Sequence, residues 1–171
     1  MSLWWKNPRL RNRRYILVST LEEEKGVIFR IENEEYTVGI DQVDKILEFQ
    51  KITRIPNSPD YLKGVIKYQD RIIPVIDLKK RFGLDNTNII DSTKIIIVKR
   101  EDANVGILID DVESIFTIEE GSLCPPPDII SGIVRDYIKG VIKLDKRVII
   151  YLDLGKILTF DEQKEINNLI G

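Results

Sequence analysis

Apolar and polar positions alternate along this chain in short runs, which is the pattern of half-buried strands. Val27, Phe29 and Ile31 alternate with Ile28, Arg30 and Glu32, and Tyr36, Val38 and Ile40 follow after the turn residues Asn33-Glu34. Gly64–Tyr68 and Arg71–Ile76 read as a hairpin across Gln69-Asp70. Lys94–Lys99, Val105–Ile109, Gly140–Leu144 and Arg147–Leu152 read as further strands. Pro74 removes a ladder donor in mid-run, which predicts that its strand lies at a sheet edge. Short helices are expected at Pro59–Lys63, after Leu78, and at Asp161–Leu169. Short strands with turn signals at roughly 8–12-residue spacing predict a small closed barrel.

The pattern also repeats. Residues 61–82 read YLKGVIKYQDRIIPVIDLKKRF and residues 137–158 read YIKGVIKLDKRVIIYLDLGKIL. At a constant offset of 76, 11 of these 22 positions are identical, among them Gly64 with Gly140 and Asp77 with Asp153. Upstream, Val38-Gly39-Ile40 and Val43…Ile46 are echoed more weakly by Val105-Gly106-Ile107 and Val112…Ile115. The chain is therefore two copies of one supersecondary unit. The first runs to about Leu84, with Asp85-Asn86-Thr87-Asn88 as the connection. A loop from Gly121 to Pro127 interrupts the second copy, and its three prolines favour an extended stretch.

Composition sharpens the β reading and removes most enzyme chemistry. Of 171 residues, 30 are Ile and 12 are Val, while Ala103 is the one alanine. There is no histidine, which excludes imidazole catalysis and His-containing zinc sites. Cys124 alone can close no intrachain disulfide and build no four-thiolate centre. No run approaches the ~18 apolar residues of a membrane span, and Met1–Pro8 lacks a signal-peptide core, so a cytoplasmic protein is expected. Formal charge is −2 overall, yet residues 1–14 hold Lys6, Arg9, Arg11, Arg13 and Arg14 with no acid.

Few groups remain as candidates for chemistry. Asp77 and Asp153 could meet as an acid/base dyad, but the simpler reading is that each caps the short helix after it. The Asp85–Asp91 stretch has Ile where a calcium loop needs its Gly and its terminal Glu, and reads as a linker. Cys124 has no histidine to activate it. The basic arm, with Trp4, Trp5 and Tyr15, could touch nucleic acid, though the acidic body offers no supporting surface. Gly64 and Gly140 read as left-handed residues closing one-turn helices, which is compatible with Gly64 also letting a partner approach closely.

Glu34-Glu35-Tyr36, Val43…Ile46, Thr53-Arg54-Ile55-Pro56-Asn57-Ser58-Pro59, Tyr61-Leu62-Lys63-Gly64-Val65-Ile66 and Ile73-Pro74-Val75-Ile76-Asp77-Leu78 resemble the CheW family of bacterial chemotaxis coupling proteins. Val105-Gly106-Ile107, Asp110-Asp111-Val112 and Leu144…Leu154 continue the resemblance, which covers residues 26–160. It implies a mainly β fold: two similar five-stranded, SH3-like β-barrels packed together, with a few short helices and a C-terminal helix. Barrel 1 would span about residues 26–84 and barrel 2 about 92–158, with exchange of elements between them left open. Residues 1–25 would form a basic leader and 161–171 a helical tail.

The resemblance further implies a non-enzymatic adaptor, without cofactor or metal, that joins chemoreceptor (methyl-accepting chemotaxis protein) cytoplasmic tips to the regulatory domain of the chemotaxis histidine kinase. Such a protein would sit in the cytoplasm at membrane receptor arrays, with neither nucleic-acid binding nor membrane insertion expected and self-association into rings left open. The alternatives are the same scaffold in a twitching or gliding pathway, and a small β-barrel nucleic-acid binder using residues 1–14. In the family the receptor-facing groove lies around the positions of Val43, Lys45, Gly64, Gln69 and Ile72. Arg54 would either contact a partner or anchor its own loop. Lys45 stands where the family usually carries Glu, and Gln69 falls in a turn where the family carries an Arg, so both members of that pair are absent together.

Overall fold

The computed structural model describes residues 23–84, 88–101, 103–126 and 136–171. The basic arm, most of the Asp85–Asn88 connection and the loop beyond Pro126 therefore lie outside the described residues. Copy one supplies β1 (Lys25–Ile31), β2 (Glu34–Gly39), β3 (Val43–Glu48), β4 (Leu62–Tyr68) and β5 (Arg71–Asp77), followed by the one-turn helix α1 (Leu78–Arg81). Copy two supplies β6 (Lys94–Val98), β7 (Val105–Ile109), β8 (Asp111–Thr117), the short β9 (Leu123–Cys124), β10 (Ile138–Leu144) and β11 (Arg147–Leu152). A 3₁₀ turn at Leu154–Lys156 and helix α2 (Phe160–Ile170) end the chain.

Neither sheet is made from one copy alone. One sheet runs β3-β6-β7-β5-β4 and the other β8-β1-β2-β11-β10-β9. Exchanging β1–β3 with β6–β8, and β4–β5 with β10–β11, converts one order into the other. Each sheet holds one parallel pair, and in both cases it joins the two copies: β5 with β7 and β11 with β2. Val75 pairs with Gly106 where Tyr151 pairs with Thr37. Gly106 is thus the counterpart of Thr37, and the Val-Gly-Ile echo at 38–40 and 105–107 is out of structural register.

Strands β6 and β7 are buried on both faces, which explains their unbroken apolar runs. Ile95 and Ile97 of β6 pack inside the smaller sheet with Ile66, Ile73, Val75 and Leu108. Their neighbours Ile96 and Val98 face the other way, into a central core shared with Val27, Phe29, Val38, Ile107 and Leu152. In the larger sheet Ile28, Ile142, Ile149 and Tyr151 form the third cluster. Through the central core runs an aromatic column, Phe29–Tyr36–Phe82–Tyr137, with centroid spacings of 5.8, 5.4 and 5.8 Å. Helix α2 closes this core with the fully buried Ile166. Thr159 and Glu162 form its capping box, and Arg81 binds Glu162 through both terminal nitrogens at 2.6 and 2.7 Å.

Several expectations need correction. Pro74 sits on an interior strand, since β5 lies between β7 and β4. The ladder to β7 begins only at Val75, so proline's missing N–H is not called upon on that side. Pro59–Lys63 is not a helix; the chain turns there and enters β4 at Leu62. The first hairpin turns at Glu32, with φ 55°, and Glu34 already opens β2. Strands β3, β8 and β9 lie outside the runs that predict strands. Among the described residues the smaller sheet is not closed by a β3–β4 ladder. Instead Thr53 N donates to Val65 O (2.9 Å) and Val65 N to Thr53 O (2.8 Å), laying the chain after β3 along β4.

Candidate functional site

The β4–β5 hairpin turns where expected, with both central residues left-handed: Gln69 at φ 48° and Asp70 at φ 61°. Beyond the turn Tyr68 pairs with Arg71 and Lys67 with Ile72. From the opposite edge of the sheet, β3 comes beside this hairpin, for the Tyr68 hydroxyl donates to Asp44 Oδ2 at 3.2 Å. Partial burial, and then the Asp44 carboxylate, push the Tyr68 hydroxyl pKa up, which keeps it a donor. Asp44 is flanked by Val43, half-buried against the central core, and by Lys45, exposed past a bulge in the β3–β6 register. The Tyr68–Asp44 bond thus brings the end of the hairpin to β3, and Ile72 on the hairpin is 52% exposed.

The corresponding region of the second copy is differently furnished. Arg147, the counterpart of Arg71, grips Glu35 with Nε at 3.0 Å and also with Nη2. Its Nη2 reaches Glu113 Oε1 at 2.8 Å, and Glu113 holds Arg30 at 3.3 Å. Both copies expose an aliphatic residue here, Ile72 and Val148. Only in the second is the flanking arginine tied into an ion network; Arg71 and Lys45 have no ion pair among the described residues.

Gly64 and Arg54 belong elsewhere. Gly64 lies inside β4 at a bulge, not at a helix end as expected. A Cβ there would stand 2.2 Å from the Thr53 carbonyl oxygen, and its φ is +149°. Gly140 occupies the equivalent bulge, where a Cβ would meet the Cys124 carbonyl oxygen at 2.4 Å. The repeat keeps glycine at both positions because another backbone crosses β4 and β10 there. Arg54 follows Thr53 out of that crossing. It does not anchor its loop by any hydrogen bond among the described residues. The loop is held by Ser58 Oγ donating to Ile55 O (2.7 Å) and Leu62 N donating to Pro59 O (3.0 Å). Between this loop and α1 opens a cleft of about 540 Å³, bordered by Arg54, Lys63 and Lys80.

The two repeated aspartates do not meet. Asp77 Oδ1 accepts from Lys79 N (3.1 Å) and Lys80 N (3.4 Å), capping α1. Asp153 Oδ1 accepts from Gly155 N (3.1 Å) and from Gln42 Nε2 (2.7 Å), capping its 3₁₀ turn. Both are caps, and no dyad forms.

Comparison with known proteins gives a consistent picture. A family model described as the CheW-like domain matches residues 25–162. The chemotaxis protein CheW of Treponema pallidum is 30% identical over 169 residues, 96% of this chain and 99% of that relative. The CheW of Bacillus subtilis is 32% identical over 135 residues, 79% of this chain and 86% of its own length. Among solved structures, the scaffolding protein TtCheW from Thermoanaerobacter tengcongensis matches with a TM-score of 0.75 and 33% identity, covering 82% of this chain and 95% of that one.

Proposed function

Because this chain belongs to the CheW-like family and is a chemotaxis coupling scaffold, we propose that it joins a chemoreceptor cytoplasmic tip to the regulatory domain of the chemotaxis histidine kinase, doing so by contact alone. The receptor side is assigned to the region where β3 meets the β4–β5 hairpin. One observation carries that assignment: the Tyr68–Asp44 bond brings the end of the β4–β5 hairpin to β3, where the hairpin leaves Ile72 half-exposed and Lys45 and Arg71 have no ion pair among the described residues. An apolar centre flanked by uncommitted charges suits a partner face, with the apolar contact giving affinity and the charges giving choice. Burying the rest of Ile72 contributes about 1 kcal/mol.

Lys45 and Gln69 replace the usual Glu and Arg, so this face is tuned to a divergent receptor. Tyr68 and Asp44, the residues immediately before them, supply a hydrogen bond across the same gap. A scaffold of this kind works beside the membrane without entering it; among the described residues no helix is long and apolar enough to cross one.

Calorimetric titration against a receptor cytoplasmic fragment, and separately against a kinase regulatory domain, tests the proposal. Saturable micromolar binding to both, retained after removal of residues 1–14, is expected. Binding to neither, together with salt-sensitive binding to single-stranded nucleic acid lost on that truncation, overturns it.

A further inference from the structure

We propose that the cleft between the 54–60 loop and α1 is a second binding site, which takes an acidic peptide segment of a partner protein. Its carboxylates would lie between Arg54, Lys63 and Lys80, with an aliphatic side chain against Ile55 and Pro59. This goes beyond the coupling role and does not depend on the β3 face.

The charges are the first reason. Arg54, Lys63 and Lys80 come from the loop, β4 and α1, and none has an ion pair among the described residues. Helix α1 is instructive because it carries three consecutive cations. Lys79 is paired with Asp110 at 3.0 Å and Arg81 with Glu162 at 2.6 Å, and neither lines the cleft. Lys80, between them, is the cation that borders the cleft. Of the acids lining it, Asp77 is buried with its Oδ1 accepting from the α1 amides, and Asp60 is exposed. The cations therefore outnumber the exposed acid.

Preorganisation is the second reason. The loop carries Pro56 and Pro59, holds Asn57 at φ 59°, and is pinned at both ends by the Thr53–Val65 bridge and the Leu62-to-Pro59 bond. Little entropy is lost when a ligand enters such a site. Its volume of about 540 Å³ suits several residues of peptide rather than a single small anion. No aromatic side chain lines it for base stacking. The chain's own first 14 residues are purely basic in charge and repel it.

The test is fluorescence anisotropy with a labelled eight-residue peptide of alternating Glu and Leu, titrated with the full chain. Saturable binding is expected, weakened about ten-fold by Arg54→Ala with Lys80→Ala and weakened by added salt. Amide NMR shifts should concentrate in residues 54–63 and 78–81. Ile72→Asp should leave this binding unchanged, which separates its failure from failure of the receptor assignment. Both cleft residues are exposed, so circular dichroism should report an intact fold; Lys80→Glu alone provides the second variant. Equal binding of a Lys-Leu peptide, an unchanged affinity in either variant, or displacement by equimolar inorganic phosphate or ATP overturns the proposal.

Discussion

Replacing Gly64 by alanine should destabilise the protein by about 2–4 kcal/mol, and the structure separates the sources. The new Cβ would lie 2.2 Å from the Thr53 carbonyl oxygen and 2.8 Å from its carbon. Relief requires moving that carbonyl, which accepts from Val65 N, and with it the reciprocal bond from Thr53 N. Two backbone hydrogen bonds are worth roughly 1–3 kcal/mol together. Holding alanine at φ +149° adds about 1–3 kcal/mol of strain, while the stiffer unfolded chain returns about 0.4–1 kcal/mol. Two other glycines serve as controls. Gly140→Ala keeps the collision, at 2.4 Å from Cys124 O, without a left-handed φ. Gly83→Ala keeps a φ of +75° with nothing within 4 Å. Urea unfolding followed by circular dichroism should rank the losses as Gly64, then Gly140, then Gly83. A Gly64→Ala midpoint equal to wild type, or a larger loss at Gly83, refutes the crossing-backbone explanation.

Burial raises the Glu162 pKa, but the Arg81 and Thr159 hydrogen bonds outweigh it and hold the carboxyl at about 2. Because the folded value lies below the unfolded one near 4.5, the stabilisation is complete above that pH and is lost as pH falls towards 2. Glu162→Gln should cost about 1–3 kcal/mol at pH 7, and the gap to wild type should narrow in urea melts at pH 3; a constant gap counts against it. Ile72→Asp should change stability by less than about 0.5 kcal/mol yet weaken receptor-fragment binding about ten-fold by calorimetry, and unaltered affinity removes Ile72 from the site. Lys45→Glu with Gln69→Arg should strengthen binding to ordinary receptor tips, and an unchanged titration would show that the pair does not set receptor choice.

Hairpins and the central apolar strands were legible because their signals are local. Ile95–Val98 is a continuous apolar run, and Gln69-Asp70 is a turn whatever surrounds it. Strand β3 gives no local signal because Val43-Asp44-Lys45 carries no alternation, being half-buried and exposed at a sheet edge. Gly64 is ambiguous for a related cause: nothing near it in sequence reveals the Thr53 carbonyl that excludes a side chain. Pro74 pointed to an edge because a proline shows only that one donor is missing, not where the neighbouring ladder begins. Of the candidate site, the grouping of Val43, Lys45, Gln69 and Ile72 comes from the family resemblance, and the Asp44–Tyr68 bond adds only that the hairpin end reaches β3. The cleft was invisible, since Lys80 meets the 54–60 loop only through folding.

The crossed parentage of the sheets has a consequence for how the chain comes into being. A half-length chain ending near Leu84 would hold three strands of one sheet and two of the other. Two such chains could complete the architecture only by lending each other their first hairpins, as an arm-exchanged homodimer. Joining them covalently makes the exchange independent of protein concentration. During synthesis, however, β2 emerges long before its partner β11, which is made near the end of the chain. Its unpaired edge must wait on the ribosome, exposed to other nascent chains, until the second copy arrives.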